Sequence, residues 1–196
     1  MSDRPGAAQS GPDGQLRCPW AMSSPEYLGY HDEEWGRPVR SDQGIFERLC
    51  LEGFQSGLSW LTILRKRDNF RAAFRGFDPA QVASFGQPDV DRLLSDVGII
   101  RNRAKIQATI HNASAALDIP GGLAALVWSY AGDPAPVAPV SLADLPASTP
   151  ASTALAKELR GRGFRFTGPV TVYATFQACG VVDDHLRDCF RRGAYH

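Results

Sequence analysis

Four residues with metal-binding side chains lie in two groups at opposite ends of the chain. Cys18 and His31 are near its start, and His185 and Cys189 are near its end. Zinc takes Cys sulfur and His nitrogen in tetrahedral sites, and a set of four protein ligands marks a structural site because no position is left for water. These residue types therefore predict one structural zinc ion that joins the first ordered residues to the last helix.

The spacing in sequence supports metal binding by the second group more than by the first. His185 and Cys189 are four positions apart, so on a helix both side chains project from the same face. The spacing of Cys18 and His31 matches no short zinc-finger pattern. The alternative is that these residues are a small buried thiol and satisfied histidines, and spacing alone does not decide between the two.

Composition limits the class of protein. A chain of 196 residues, 43% of them hydrophobic, can bury one sizeable core or two small lobes, and no apolar run is long enough to span a membrane. We find no signal peptide, and with only 4 cysteines we expect a cytoplasmic protein without disulfide bonds. Cys50 and Cys179 lie in apolar helical stretches and are predicted to be core residues. The formal net charge of zero neither supports nor excludes a nucleic-acid partner.

The pattern of apolar residues, caps and turn residues predicts an all-α fold. Residues 1–16 are rich in Gly, Pro and polar residues without periodicity, so we expect a disordered tail followed by one unit, 17–196, of two helical lobes. Helices are predicted in SSPEYLGYHDEEWG, DQGIFERLCLEGFQ, WLTILRKRDNFRAAF, PAQVASF, PDVDRLLSD, NRAKIQATIHNASAAL, GLAALVWSY, TALAKELR, PVTVYATFQACG and HLRDC. Proline excludes a helix interior from the connector AGDPAPVAPVSLADLPASTP.

Residues 154–178 resemble a helix-hairpin-helix. Two helical stretches are joined by GRGFRFTG, which contains Gly163 and Gly168. Glycine lets the backbone approach a DNA phosphate, and the free amides at the start of the next helix favour an anion. A glycine-containing turn between helices is weak evidence by itself, because an ordinary helical hairpin has the same pattern.

Glu52 is predicted at the edge of an apolar helix face. Ile45, Leu49 and Glu52 are spaced by four and three residues, and a buried carboxylate without a partner is costly. Neighbouring polar and aromatic residues that suit a flat cationic ligand are Gln55, Ser59, Trp60, Trp20, Tyr27, Tyr30 and Trp35. The alternatives are that Glu52 turns outward to solvent and that the aromatic residues, Trp35 especially, belong to the core.

Six segments together resemble the bacterial 3-methyladenine DNA glycosylase I family. They are RCPW, YLGYHDEEWG, LCLEGFQSGLSW, VGIIRNRAKIQA, RGFRFTG and QACGVVDDHLRDC. The resemblance covers residues 17–191 in order and with few gaps. It implies a helix-hairpin-helix glycosylase that excises 3-methyladenine from alkylated double-stranded DNA, as a monomer without an obligate protein partner.

The resemblance also implies roles for individual residues. The ligands of a structural zinc fall on Cys18, His31, His185 and Cys189. The base-recognition carboxylate falls on Glu52, and aromatic residues of the pocket fall on Tyr30, Trp60, Trp20 and Tyr27. A wedge that enters the DNA stack falls on Ser56, Gly57 and Leu58. A phosphate-binding hairpin falls around Gly168, where we include Arg165 and Thr171.

Two positions depart from the family pattern. Phe54 stands where we expect a polar residue, which would alter the rim of the pocket. Asp183 stands where the family usually carries Asn, whereas related glycosylases have a catalytic Asp just before the final helix. Two roles, a contribution to catalysis and a helix cap, are compatible for Asp183.

We expect a monofunctional enzyme, since Lys66, Lys105 and Lys157 are its only lysines and none of them lies in a pocket segment. The competing class is a non-enzymatic, zinc-stabilised module that senses alkylated bases or binds DNA. A metal-dependent nuclease is disfavoured, because its catalytic metal needs open coordination.

Overall fold

A computed structural model describes residues 5–132 and 137–195. The described residues form nine α-helices: α1 (Pro25–Glu33), α2 (Asp42–Gln55), α3 (Trp60–Ala73), α4 (Pro79–Ala83), α5 (Gln87–Ser95), α6 (Arg103–Leu117), α7 (Leu123–Trp128), α8 (Pro150–Gly161) and α9 (Pro169–Ala178). Short 3₁₀ helices span Pro19–Ser23, Arg75–Phe77 and Leu142–Asp144. The mainly helical class predicted from sequence is confirmed, and none of the described helices is long and apolar enough to cross a membrane.

Side-chain caps explain where several helices begin. The hydroxyl groups of Ser24, Ser41 and Ser59 accept hydrogen bonds from backbone N–H groups in the first turns of α1, α2 and α3. The Asn102 and Thr149 side chains do the same for α6 and α8. Each cap satisfies an N–H group that has no partner within the helix. The starts of α1, α2, α3 and α6 agree with the predicted stretches, whereas α8 begins at Pro150, three residues before the predicted TALAKELR.

Helix α2 is the centre of the fold, and it contacts α3, α6, α7 and α9. Phe54, near its end, is fully buried, with its ring centroid 4.7 Å from that of Phe70. Phe54 therefore belongs to the core, and the expectation that it alters the rim of the pocket was wrong. Cys50 and Cys179 are buried in the same core, as predicted.

The end of the chain corrects one prediction, because the segment HLRDC is not helical. Residues 181–195 run through turns and bends. The N–H group of Leu186 donates to the Cys18 sulfur over 3.4 Å, and that of His185 donates to the Asp183 carboxylate over 3.1 Å. A helix would leave these first amides free, but the Phe190 N–H group donates to the Leu16 backbone oxygen over 2.9 Å and not to that of Leu186, as a helix requires.

The N-terminal segment corrects a second prediction, since residues 5–16 have defined structure. Strand β1 (Gln9–Ser10) pairs antiparallel with β2 (Leu16–Arg17), and Ala7 forms a bridge with Ser141. Arg17 is buried and binds Asp13 over 2.7 Å, which fixes the turn between the strands. Composition indicated disorder because it does not reveal this buried arginine; residues 1–4 lie outside the described residues.

Candidate functional site

A cavity of about 320 Å³ lies where α1, α2, α3 and α9 meet. Its volume is within the range of small-molecule sites. It is lined by Trp20, Tyr27, Tyr30, Trp35, Glu52, Gln55, Trp60, Leu145, Ala174 and Gln177. The cavity thus combines aromatic walls with a few polar groups, which is typical of a site for a flat ring system.

Glu52 is a buried carboxylate within this cavity. Its side chain is 7% exposed, and burial raises its pKa to about 8. No hydrogen bond or ion pair of its carboxylate is found within the described part of the chain. A buried, unpaired carboxylate destabilises the free protein and would be stabilised by a ligand that is cationic or donates hydrogen bonds.

Two aromatic residues form neighbouring walls of the cavity. The ring centroids of Tyr30 and Trp60 are 5.5 Å apart, with their planes at 48°. The Trp60 indole nitrogen Nε1 is buried and has no partner among the described residues. This N–H group is covered by protein atoms, so Trp60 offers the cavity its ring and not a hydrogen-bond donor, and Glu52 supplies the unpaired acceptor.

Contacts behind the cavity fix the remaining predicted aromatic residues. The Tyr27 hydroxyl accepts a hydrogen bond from the Leu61 N–H group over 2.9 Å, which attaches α1 to the start of α3. Trp20 packs edge-on against Tyr27, with centroids 5.7 Å apart. Trp35, expected in the core, is 9% exposed but also lines the cavity.

One predicted base-binding residue is elsewhere. Ser59 does not line the cavity: it caps α3, and its hydroxyl oxygen lies 2.9 Å from that of Thr62. Gln55 does line the cavity, as expected. The serine lies close to Trp60 in sequence, but helix α3 directs the two side chains differently.

Sequence reasoning missed Leu145, Ala174 and Gln177. They reach the cavity from the connector and from α9, far from Glu52 in sequence, and no local pattern marks them. The Gln177 amide donates to the Asp184 carboxylate over 2.7 Å, so its orientation is fixed. Gln177 lies in the segment QACGVVDDH, but neither its residue type nor its spacing to Asp184 marks it as a cavity residue.

The four predicted metal ligands converge at one place. Cys18, His31, His185 and Cys189 are all buried, and one ligand atom from each lies within 4.8 Å of the others. The Cys189 sulfur is 3.4 Å from His31 Nε2 and 3.6 Å from His185 Nδ1. Zinc bonds of about 2.0 to 2.3 Å in a tetrahedron separate ligand atoms by about 3.3 to 3.8 Å. The donor set fits a zinc ion, and both Cys189 distances lie within this range, whereas the Cys18 sulfur is 3.9 Å from His185 Nδ1, just outside it.

The second nitrogen of each histidine is already engaged. His31 Nδ1 lies 2.8 Å from the Asp32 carboxylate, and His185 Nε2 lies 3.2 Å from the backbone oxygen of Trp35. Such partners fix the tautomer and the ring orientation of a metal-binding histidine. Arg17 in turn binds Asp32 over 2.8 Å, so the N-terminal hairpin supports the cluster.

Two glycines allow the chain segments at the cluster to approach closely. Gly36 has a φ of 80°, and a Cβ atom there would lie 2.9 Å from His185 Nε2. Gly180 has a φ of 67°, and a Cβ atom there would lie 2.4 Å from the Gly36 oxygen. A side chain at either position would push the two ends of the chain apart.

Comparison with known proteins supplies the class of site. The family model described as Methyladenine glycosylase matches residues 20–192. The chain belongs to the methyladenine glycosylase family. That match includes the cavity residues and three of the four residues of the cluster, with Cys18 just before it.

Members of the family with names and structures are similar along most of this chain. DNA-3-methyladenine glycosylase 1 of Escherichia coli (strain K12) is 47% identical over 88% of this chain and 95% of that relative. The glycosylase of Haemophilus influenzae is 44% identical over 88% of this chain and 96% of that relative. A crystal structure of 3-methyladenine DNA glycosylase I matches with a TM-score of 0.86, at 49% identity over 90% of this chain and 99% of that one. The Staphylococcus aureus enzyme, described for its recognition of 3-methyladenine, has a TM-score of 0.85 at 37% identity, over 90% of this chain and 96% of its own.

The segments that the family resemblance assigns to DNA contact lie at two turns. Ser56, Gly57 and Leu58 follow the end of α2; Gly57 has a φ of 84°, and Leu58 is 43% exposed although apolar. Residues 162–168 join α8 to α9, with Gly168 at the start of α9 and space around its Cα atom for close approach. Arg165 is exposed in the same turn, whereas Thr171 lies in the first turns of α9 and is half-buried.

Asp183 lies outside the lining of the cavity. Its carboxylate accepts hydrogen bonds from the N–H groups of His185 over 3.1 Å and Gly193 over 2.8 Å. The Arg192 guanidinium is 3.5 Å away. These contacts show that Asp183 binds backbone amides of the following turns, as a cap does, but the helix that it was expected to cap is absent.

We expect Asp183→Asn to leave base excision within about twofold of wild type, because the amide oxygen can still accept the His185 N–H bond. Asp183→Ala should lower the free energy of unfolding by about 1 kcal/mol, as for loss of a cap. Single-turnover kinetics and chemical denaturation measure the two effects. A drop in the excision rate for Asp183→Asn at normal stability would instead assign the carboxylate to catalysis.

Proposed function

We propose that this chain is a DNA-3-methyladenine glycosylase that hydrolyses the bond between 3-methyladenine and deoxyribose in alkylated DNA. The observation that carries the proposal is the buried, unpaired carboxylate of Glu52 in an aromatic cavity. Membership of the family and the names of its relatives support this activity over a module that senses the base without cleaving it.

The proposed chemistry begins with the lesion. Methylation at N3 leaves the adenine of the nucleotide cationic, so the base is already a good leaving group and needs little acid catalysis. The damaged base enters the cavity by rotation out of the duplex. Glu52 accepts hydrogen bonds from its polar edge and stabilises its positive charge, while Tyr30 and Trp60 pack against its faces. The bond from base to sugar then breaks, its electrons leave with the base, and water adds to the sugar carbon and loses a proton.

Two segments are proposed to hold the DNA. Leu58, with Ser56 and Gly57, would fill the gap left by the rotated nucleotide, which accounts for an exposed apolar side chain at this turn. The turn before α9 would bind a phosphate through free backbone amides, with Arg165 and Thr171 beside Gly168. Such contacts would position the duplex without reading its sequence, which is the role proposed for the helix-hairpin-helix that the sequence predicts.

A structural zinc ion is proposed at the cluster of Cys18, His31, His185 and Cys189. When bound, the ion would supply four bonds that join the two ends of the chain, and no step of the reaction passes through it. His31 follows Tyr30 directly, and the His185 ring centroid is 4.6 Å from that of Trp35. The cluster would therefore hold one wall of the pocket in place. We also propose that the chain acts on double-stranded DNA as a monomer.

The proposal predicts release of free 3-methyladenine and an intact strand. Methylated and unmethylated DNA are each incubated with the protein, released bases are separated by chromatography, and strand breaks are measured before and after heating in alkali. We expect the base only from methylated DNA, and breaks only after heating, because Lys66 and Lys105 bind backbone oxygens and neither lines the cavity. Binding without release would favour the sensing module, and breaks without heating would contradict a monofunctional enzyme.

A further inference from the structure

Helix α6 presents two buried polar side chains to the segments that are proposed to contact DNA. Lys105 is 9% exposed and Asn112 is 4% exposed. Neither lines the cavity that holds Glu52. Buried polar side chains in a helix are costly unless they are hydrogen-bonded, so the partners of these two indicate why they are present.

Lys105 binds the end of α2. Its ammonium group donates to the backbone oxygens of Phe54 over 2.9 Å and Ser56 over 2.6 Å. The last carbonyl groups of a helix have no partner within it and carry partial negative charge, so a cation there is favourable. The second of these oxygens belongs to the segment that carries Leu58, so the lysine fixes the base of the proposed wedge.

Asn112 binds the turn between α8 and α9. Its amide nitrogen donates to the Arg165 backbone oxygen over 2.9 Å, and its amide oxygen accepts from the Arg165 N–H group over 2.8 Å. The two bonds hold one residue from both sides, and the next residue, Phe166, has a φ of 57°. The asparagine thereby fixes the conformation of the turn that leads to Gly168.

The two side chains are on one face of the same rigid element. They are seven residues apart, which is about two helical turns and about 10 Å along the axis. The intervening Ala108 and Thr109 are buried, and together these four residues line a small gap against Gly53, Phe54 and the hairpin turn. The face of α6 therefore contacts both proposed DNA-binding segments at once.

We infer that Lys105 and Asn112 are positioning residues, which hold the wedge and the phosphate-binding turn at a fixed separation. A duplex bound by its phosphates at the hairpin then meets Leu58 at the nucleotide to be rotated out. This inference rests on the proposed function, because it assigns a role to the segments that would bind DNA.

The test compares a duplex with a single strand, since a single strand needs no wedge to open a stack. For Lys105→Met we expect single-turnover excision from duplex DNA to fall about 10-fold to 100-fold, the range for a misplaced catalytic element. Excision from a methylated single strand and the affinity for free 3-methyladenine should stay within about twofold of wild type. For Asn112→Leu we expect weaker duplex binding, with the rate at saturating protein unchanged.

Lys66→Met is the matched control. Lys66 also donates to a backbone oxygen, that of Val97, but it is on α3 and its ammonium group binds neither segment. It should leave every readout unchanged. If Lys105→Met does not fold, Lys105→Gln keeps a donor at the same place and should show a smaller loss that is again confined to the duplex.

Equal losses on duplex and single strand, or no loss on either, would overturn the inference. If the wild-type protein released no base at all, the proposed function would fail, and the affinity for a duplex with an abasic-site analogue would still test the positioning role. In that case Lys105→Met and Asn112→Leu must both weaken binding while Lys66→Met does not.

Discussion

Glu52→Gln should reduce excision of 3-methyladenine about 100-fold while making the protein more stable at alkaline pH. The loss is that typical for removal of one preorganised electrostatic contact. Glutamine keeps the shape of the side chain but not its charge, so the cationic base loses its counter-charge. Single-turnover release of the base at saturating protein measures the effect on the bound complex.

The stability change follows from the raised pKa of Glu52. Its pKa is about 8 in the folded protein, against 4.5 for an ordinary glutamate. A raised pKa means that the folded state binds the proton more tightly, so the stabilisation is complete below pH 4.5 and is lost as pH rises to about 8. Relative to Glu52→Gln, the wild type should lose roughly 1.4 kcal/mol of stability for each pH unit in that window.

The same titration predicts the pH profile of the reaction. The ionised carboxylate is the form that attracts a cationic base, so kcat/KM should rise with pH up to about 8, which is the pKa of Glu52 in the free protein. Bound substrate favours the ionised form, so kcat should rise at lower pH than kcat/KM. The profile of Glu52→Gln should lack this rise.

Glu47→Gln is a matched control on the same helix. Glu47 is 8% exposed, but its carboxylate is 2.8 Å from the Arg71 guanidinium, and it does not line the cavity. This variant should keep its excision rate and lose stability, which is the reverse of Glu52→Gln. Wild-type release of 3-methyladenine by Glu52→Gln would contradict the role assigned to the carboxylate.

The helices were largely predictable because their starts are encoded locally. Ser24, Ser41 and Asn102 are polar caps before amphipathic stretches, and α1, α2 and α6 begin directly after them. A capping residue and the apolar face of the helix that follows it lie within a few neighbouring residues, so both can be recognised in the sequence. The segment HLRDC failed the same logic, because the Phe190 amide binds the Leu16 backbone oxygen and not that of Leu186, and Leu16 is far away in sequence.

The candidate site was predictable where residue type alone limits the chemistry. Two cysteines and two histidines indicated a common site, and the structure brings them together. A glutamate on an apolar face indicated a buried carboxylate, which Glu52 is. Gln177 and Leu145 were not predictable, because neither type is unusual in its own segment and only the fold brings them to the cavity. Ser59 does not line the cavity for the opposite reason, since closeness in sequence to Trp60 does not give closeness at the site.

Loss of the metal is the second change with a large expected effect. We expect one zinc ion per chain, and removal by a chelator, or Cys189→Ala, should lower the melting temperature strongly and abolish excision. Structural zinc contributes on the order of 10 kcal/mol to folding in small peptides, which is as large as the stability of a whole domain. Here it would also hold residues 17–35 against the end of the chain.

Four protein ligands leave no open position on the ion, so we expect the metal to affect excision only through the structure that it holds. Cobalt in place of zinc should restore both stability and excision and give the absorption spectrum of a tetrahedral thiolate site, because the ion only holds the ligands. Cys50→Ala is the matched control: it removes a buried thiol outside the cluster, so it should keep the zinc and excision, with a smaller loss of stability from the cavity alone. The affinity for free 3-methyladenine should fall with the metal, since Tyr30 and Trp35 lie beside the ligands. Full activity and an unchanged melting temperature after verified removal would mean that the four residues form a metal-free core, and the ends of the chain would then be held by packing alone.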